Sequence, residues 1–233
     1  VNKKLFFRLC IDFSMFILFL LLMAYPLSFH YLHEIFGVVF ALFLGLHTGL
    51  NWWWYKNLNK GKYNLIRKCH TAVNLLLIAL ILVNIISALG ISQWLFLFLP
   101  IDWGLTGRNL HVLSAYWGMI LLAMHIGFHW DMLMSIMRKT LNLSSPHIYR
   151  TYLLRILTFL IVFYGFLATV KLEIGARLVA YYSFFFLDPE QSYFMLLIDY
   201  LAFCGLCIAI THYGIKFLRK LHKINTNQNN IKI

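Results

Sequence analysis

Long runs nearly free of charged side chains, each close to the ~20 residues a helix needs to cross a bilayer, recur six times along this sequence. They read as spans over roughly 5–25, 31–54, 71–99, 110–136, 151–171 and 192–218. Lipid offers no water to backbone N–H and C=O groups, so each span must satisfy them internally, as a helix does. The intervening segments are short and contain Pro26, Pro100, Pro146 and Pro189, all the prolines of the chain. Charged residues make up 12% of the sequence, where a soluble domain carries about 25%. The expectation is an all-α integral membrane bundle of six transmembrane helices. It forms one domain over residues 1–224, followed by a polar tail over 225–233.

A net charge of +12 would suit nucleic acid if it were clustered, but it is sorted by loop. With the N-terminus placed inside, only Arg108, Lys171 and Arg177 of the 20 basic residues fall on the outer side. That asymmetry is the positive-inside pattern, and it predicts both termini in the cytoplasm, with the lipid bilayer and no nucleic acid as partner. The first span is apolar for too long to be a secretory h-region, and no A-x-A-like site follows it, so an uncleaved helix is expected. Trp52, Trp53, Trp54, Tyr55, Trp94, Trp103 and Trp130 lie near span ends, where interfacial aromatic residues collect. Cys204 and Cys207 form a C-x-x-C inside the sixth span, where small sulfur side chains favour packing over redox or metal chemistry. Cys10 and Cys69 have no partner visible in sequence.

Histidines inside apolar helices are costly and usually face the bundle interior. The second span holds His33 and His47, and the fourth His111 and His125, each pair fourteen residues apart. Fourteen residues is close to four helical turns, so both members project from nearly one face, about 21 Å apart along the axis. Shifting 33–52 by 78 residues superimposes His33 on His111, Gly37 on Ala115, Gly45 on Ala123, His47 on His125, Gly49 on Gly127, Asn51 on His129 and Trp52 on Trp130. Five of the twenty positions are identical, and the chemically unusual ones coincide.

Spans two and four are separated by one other span and therefore run in the same direction. His33 is then level with His111 toward the outside, and His47 with His125 toward the inside. Facing imidazoles at two depths meet the requirement for two bis-histidine haems, and Gly37, Gly45, Gly49 and Gly127 would let a flat ring approach the backbone. Matched pairs favour this over interhelical hydrogen bonding, the usual role of a lone intramembrane histidine. His129, one turn beyond His125, is an alternative inner ligand or propionate contact, and His125 with His129 also has the i, i+4 spacing of a metal site. His30 is a similar understudy to His33. His70 is a candidate for a propionate or quinone contact, as Arg108, Arg67 and Lys68 are for propionates. Asp199 and Glu34 suit proton movement or pairing with a neighbour. His147, His212 and His222 read as solvent or headgroup contacts.

The H-x13-H pairs on two co-directional helices resemble the di-haem b-type cytochromes, a superfamily that includes the ferric reductase-like transmembrane proteins. With the six-span layout, "GRNLH" at 107–111 and the shared H-x-G-[LF]-[NH]-W, the sequence is similar to a bacterial six-helix membrane family of unknown function within that group. The specific likeness covers roughly 28–135. It implies a four-helix di-haem core with two peripheral helices, in a bacterial cytoplasmic (inner) membrane. It also implies His33 and His111 as ligands of an outer b-type haem, and His47 and His125 as ligands of an inner one. The larger ferric reductases append a flavin- and nicotinamide-binding domain. Here the last residues are "LHKINTNQNNIKI" and no G-x-G-x-x-G occurs. Quinol or a separate redox protein is therefore expected as the electron donor. The competing expectation is a haem-free transporter or assembly factor whose histidines are structural or relay protons.

Overall fold

A computed structural model describes residues 3–24, 30–143, 147–181 and 192–231, the side chains of 30 and 222–231 excepted. Every regular element among them is helical: α1 (Lys3–Met23), α2 (His30–Leu50), α3 (Trp52–Lys56), α4 (Leu65–Ile91), α5 (Gly104–Thr140), α6 (Ile148–Lys171), α7 (Ile174–Arg177) and α8 (Tyr193–Ile231). Six of them, α1, α2, α4, α5, α6 and α8, are long and apolar enough to cross a membrane. Their outward side chains are themselves apolar. On α6, Phe159, Phe163 and Phe166 are all more than half exposed, which suits a lipid surface and would be costly in water.

Helix ends differ from the expected spans, and local hydrogen bonds explain why. The run expected over 31–54 breaks after Leu50, where Asn51 turns its side-chain amide back onto the carbonyl of His47 at 2.9 Å. Arg8 of α1 then satisfies the exposed carbonyl of Leu50 at 2.8 Å. The run expected over 71–99 starts earlier, at Leu65, because Asn64 caps the helix by accepting from the Arg67 amide at 2.8 Å. It also ends earlier, at Ile91. Glu34 of α2 accepts there from Ser92 Oγ (2.8 Å), the Gln93 amide (2.8 Å) and the Leu95 amide (2.7 Å). This carboxylate fastens the start of α2 to the α4–α5 connection, so the pairing role, rather than proton movement, is the one its contacts describe. Replacing Glu34 with alanine should cost about 2 kcal/mol, the range for hydrogen bonds to a charged group. Thermal unfolding in detergent would read this, and an unchanged midpoint would refute the clasp.

The core lies between α5, α6, α7 and α8, with the end of α1 packed in. Tyr200, Met119, Leu196 and Cys204 are fully buried there. Cys204 and Cys207 are free thiols, one in this core and the other packed against it. Small residues set the closest helix crossings, as is usual where lipid supplies no hydrophobic drive. A Cβ on Gly165 of α6 would lie 2.5 Å from the Ala202 carbonyl oxygen of α8. The buried Asp199 of α8 is held by Tyr164 (2.7 Å) and Lys171 (2.7 Å) of α6, the paired state that sequence allowed for it. Toward the other end, Asp131 of α5 meets Arg219 of α8 at 3.0 Å and His212 at 3.8 Å. His212 is thus nearly buried at a helix contact rather than facing solvent.

α4 packs along α5, α8 along both α5 and α6, and α1 along α2. α2 itself comes close to α4 and α5 at isolated points at most. It is held from the side by α1 and at its start by the Glu34 clasp. Four helices, α1, α2, α4 and α5, line the resulting gap, while α6 and α8 lie beyond α5. Residues 182–191, which include most of the aromatic stretch 176–190, lie outside the described residues, as do Pro26, Pro146 and Pro189. The described start of that stretch holds the end of α7 and the carbonyl of Leu178, which accepts from Trp117 Nε1 at 3.0 Å.

Candidate functional site

The histidines of α2 and α5 meet across this gap in two pairs. The ring centroids of His33 and His111 are 6.0 Å apart with planes at 72°. Those of His47 and His125 are 6.4 Å apart with planes at 75°. α2 and α5 therefore run in the same direction, and the fourteen-residue spacing separates the two levels by about 21 Å.

Neighbouring groups fix which ring nitrogen is available. His111 Nδ1 lies 3.2 Å from the carbonyl oxygen of Asn84 and 3.4 Å from Ser87 Oγ. A carbonyl can only accept, so Nδ1 carries the proton. His125 Nδ1 donates to Asn74 Oδ1 at 2.8 Å, and His47 Nδ1 donates to Asp12 Oδ1 at 2.6 Å. In all three rings Nδ1 is the donor, which leaves Nε2 as the nitrogen free to ligate, the arrangement that a second polar group imposes on metal-ligating histidines. Asn84 is itself fixed by Nδ2 bonds to the His111 carbonyl (2.9 Å) and Ser114 Oγ (3.1 Å).

The second level is richer than the first. His70 of α4 stacks on Phe128 at 4.9 Å and meets His129 edge-on at 4.9 Å. His125 and His129 are also 4.9 Å apart. One nitrogen from each of His70, His125 and His129 lies within 4.8 Å of the others, close enough to converge on a metal ion with small side-chain movements. His70 also borders a cavity of about 460 Å³ lined by Trp53, Trp54, Tyr63 and Arg67.

The small residues divide into two kinds. A Cβ on Gly37, Gly45 or Gly49 would meet no other group within 4 Å, so these positions of α2 are open. Gly127 differs: a Cβ there would strike Thr211 of α8 at 2.7 Å. It clears room for a neighbouring helix and not for a ring between α2 and α5, because its side of α5 is the one turned to α8.

Two cations are placed differently from each other. Arg108, one turn before His111, borders a cavity of about 640 Å³ beside the α4–α5 connection. Arg67 donates to the carbonyls of Lys62 (3.3 Å) and Asn57 (3.2 Å) and lies 4.1 Å over the Tyr63 ring, so it is occupied in ordering the α3–α4 loop. His147 is exposed just before α6. The side chains of His30 and His222 lie outside the described residues.

Four contributors are absent from the sequence reading. Asp12 is the lone carboxylate of the first span, and that isolation was its signal. Asn74 and Asn84 are polar residues ten apart in an otherwise apolar run. Gly118 of α5 is buried, yet a Cβ on it would meet nothing within 4 Å. It stands seven residues from both His111 and His125 and so on their face, opposite in register to Phe40 of α2. Comparison with known proteins finds no matching family model, no matching curated protein and no matching solved structure.

Proposed function

We propose that this chain is a membrane electron carrier of the di-haem b-type cytochrome kind. His33 and His111 would hold one b-type haem, and His47 and His125 the other. The observation that carries this reading is the spacing of the paired imidazoles, three of which donate through Nδ1. A metal–nitrogen bond of about 2 Å on each side, plus about 1.1 Å from each nitrogen to its ring centre, would put the centroids of a pair sharing one iron roughly 6 Å apart. The separations of 6.0 and 6.4 Å match. The open Gly37, one turn from His33 and on its face, and the stand-off of α2 from α5 fit a flat macrocycle. When bound, haem supplies a reversible one-electron iron couple. The chain's own residues would orient the histidine nitrogens toward it and place Arg108 for a propionate.

The positive-inside charge pattern supports cytoplasmic termini in a bacterial inner membrane. His33 and His111 then form the outer site, His47 and His125 the inner one. Electrons are exchanged with quinol in the membrane or with a separate redox protein. A reduced-minus-oxidised absorption spectrum of the protein purified after haem-sufficient expression tests the reading. b-type bands with two haems per chain are expected, and their absence would refute it.

The imidazole trio His70, His125 and His129 supports a second reading, a transition-metal ion at the inner level in place of the inner haem. Elemental analysis separates the two. One haem and one zinc or copper per chain, with the second metal lost in His70→Ala, would favour the trio.

A further inference from the structure

We propose that Asp12 is a positioning residue for the inner haem, and that its charge makes the inner site the lower in potential of the two. The inference rests on the di-haem reading above. Asp12 lies on the side of α1 that meets α2, between Ile11 and Phe13, in a run where an ionised carboxylate costs several kcal/mol unless paired. Its partner is the Nδ1–H of His47 at 2.6 Å, short even for a charge-assisted bond. One turn earlier, Arg8 grips the Leu50 carbonyl at 2.8 Å, which fixes the register of α1 against the end of α2. The aspartate is therefore held where the ring needs it.

The other rings with a described Nδ1 acceptor lean on neutral oxygens, the Asn74 side chain for His125 and the Asn84 backbone for His111. Glu34 sits beside His33 in sequence, but its carboxylate is taken by three donors of the 92–95 segment. The outer level has the cation Arg108 one turn from His111. A carboxylate on the outer nitrogen of an axial imidazole raises the basicity of the coordinating one. A stronger donor, with a nearby negative charge, favours the ferric over the ferrous state. The inner site is therefore harder to reduce, and passage of an electron from the inner to the outer site is the downhill direction.

Redox titration of the b-band absorbance tests this in the full chain. Asp12→Asn keeps the shape and removes the charge. It should raise the lower midpoint by at least a tenfold change in the ferric-to-ferrous ratio, about 59 mV for a one-electron couple, leave the upper midpoint unmoved and retain both haems. Asp12→Glu should stay close to the parent. In a His33→Ala background, which keeps the inner site alone, the same rise should appear, and in a His47→Ala background it should vanish. Two haems with unmoved midpoints, or a shift confined to the upper one, would overturn the assignment while leaving the di-haem reading intact. If Asp12→Asn loses the inner haem, Asp12→Glu decides: haem restored at the parental potential supports the role, and haem still missing overturns it. No b-type bands in the parent chain would overturn both.

Discussion

His125→Ala is expected to remove about half of the b-type haem, since each bis-histidine site contributes one of two, and to leave the His33–His111 site filled. His47→Ala should do the same, because the two rings face each other at 6.4 Å across one level. Neither substitution touches the core between α5, α6 and α8, so helical content should be unchanged. The controls carry as much weight as the ligands. His147 is exposed before α6, and its alanine variant should keep all the haem. His129→Ala distinguishes the inner ligand from its neighbour, since His129 lies 4.9 Å from His125 on the same helix. Haem loss in His129→Ala equal to that in His125→Ala, with His47→Ala intact, would refute the pairing and point to the imidazole trio.

Gly118→Phe is expected to lower haem content more than any other single change outside the ligands. The residue is buried, yet space is open beside it, and it lies midway between His111 and His125 on their face of α5. A phenyl ring entering there takes room from whatever lies between α2 and α5, without displacing a packed neighbour. Haem should fall by more than half while circular dichroism and the detergent-solubilised monodisperse peak stay as in the parent. Gly127→Phe is the contrast. Its first added carbon already overlaps Thr211, so it should separate α5 from α8 and destabilise the whole protein, by about 3 kcal/mol or more at the upper end for overpacking. If the two variants behaved alike, the distinction between an open and a packed glycine on α5 would be refuted.

These two glycines also show where sequence was legible and where it was not. Membrane spans could be read because lipid punishes charge residue by residue, and the fourteen-residue histidine pairs because an ionisable group in such a span needs a reason. Both are local or periodic signals. Gly127 and Gly49 coincide in the repeat, but which of them meets a neighbour depends on α8, whose packing on α5 leaves no periodic trace. Asp12 reaches a partner 35 residues away and Glu34 one 58 away. No pattern within a span announces either pairing. Helix ends were closer to hand: Asn51 and Asn64 are ordinary terminators, and the apolar runs on either side of them obscured that role.

α2 is attached edgewise, through α1 along its length and through Glu34 at its start, and it scarcely approaches α4 or α5. With so few contacts beyond these, α2 is the spanning helix expected to separate first on partial unfolding.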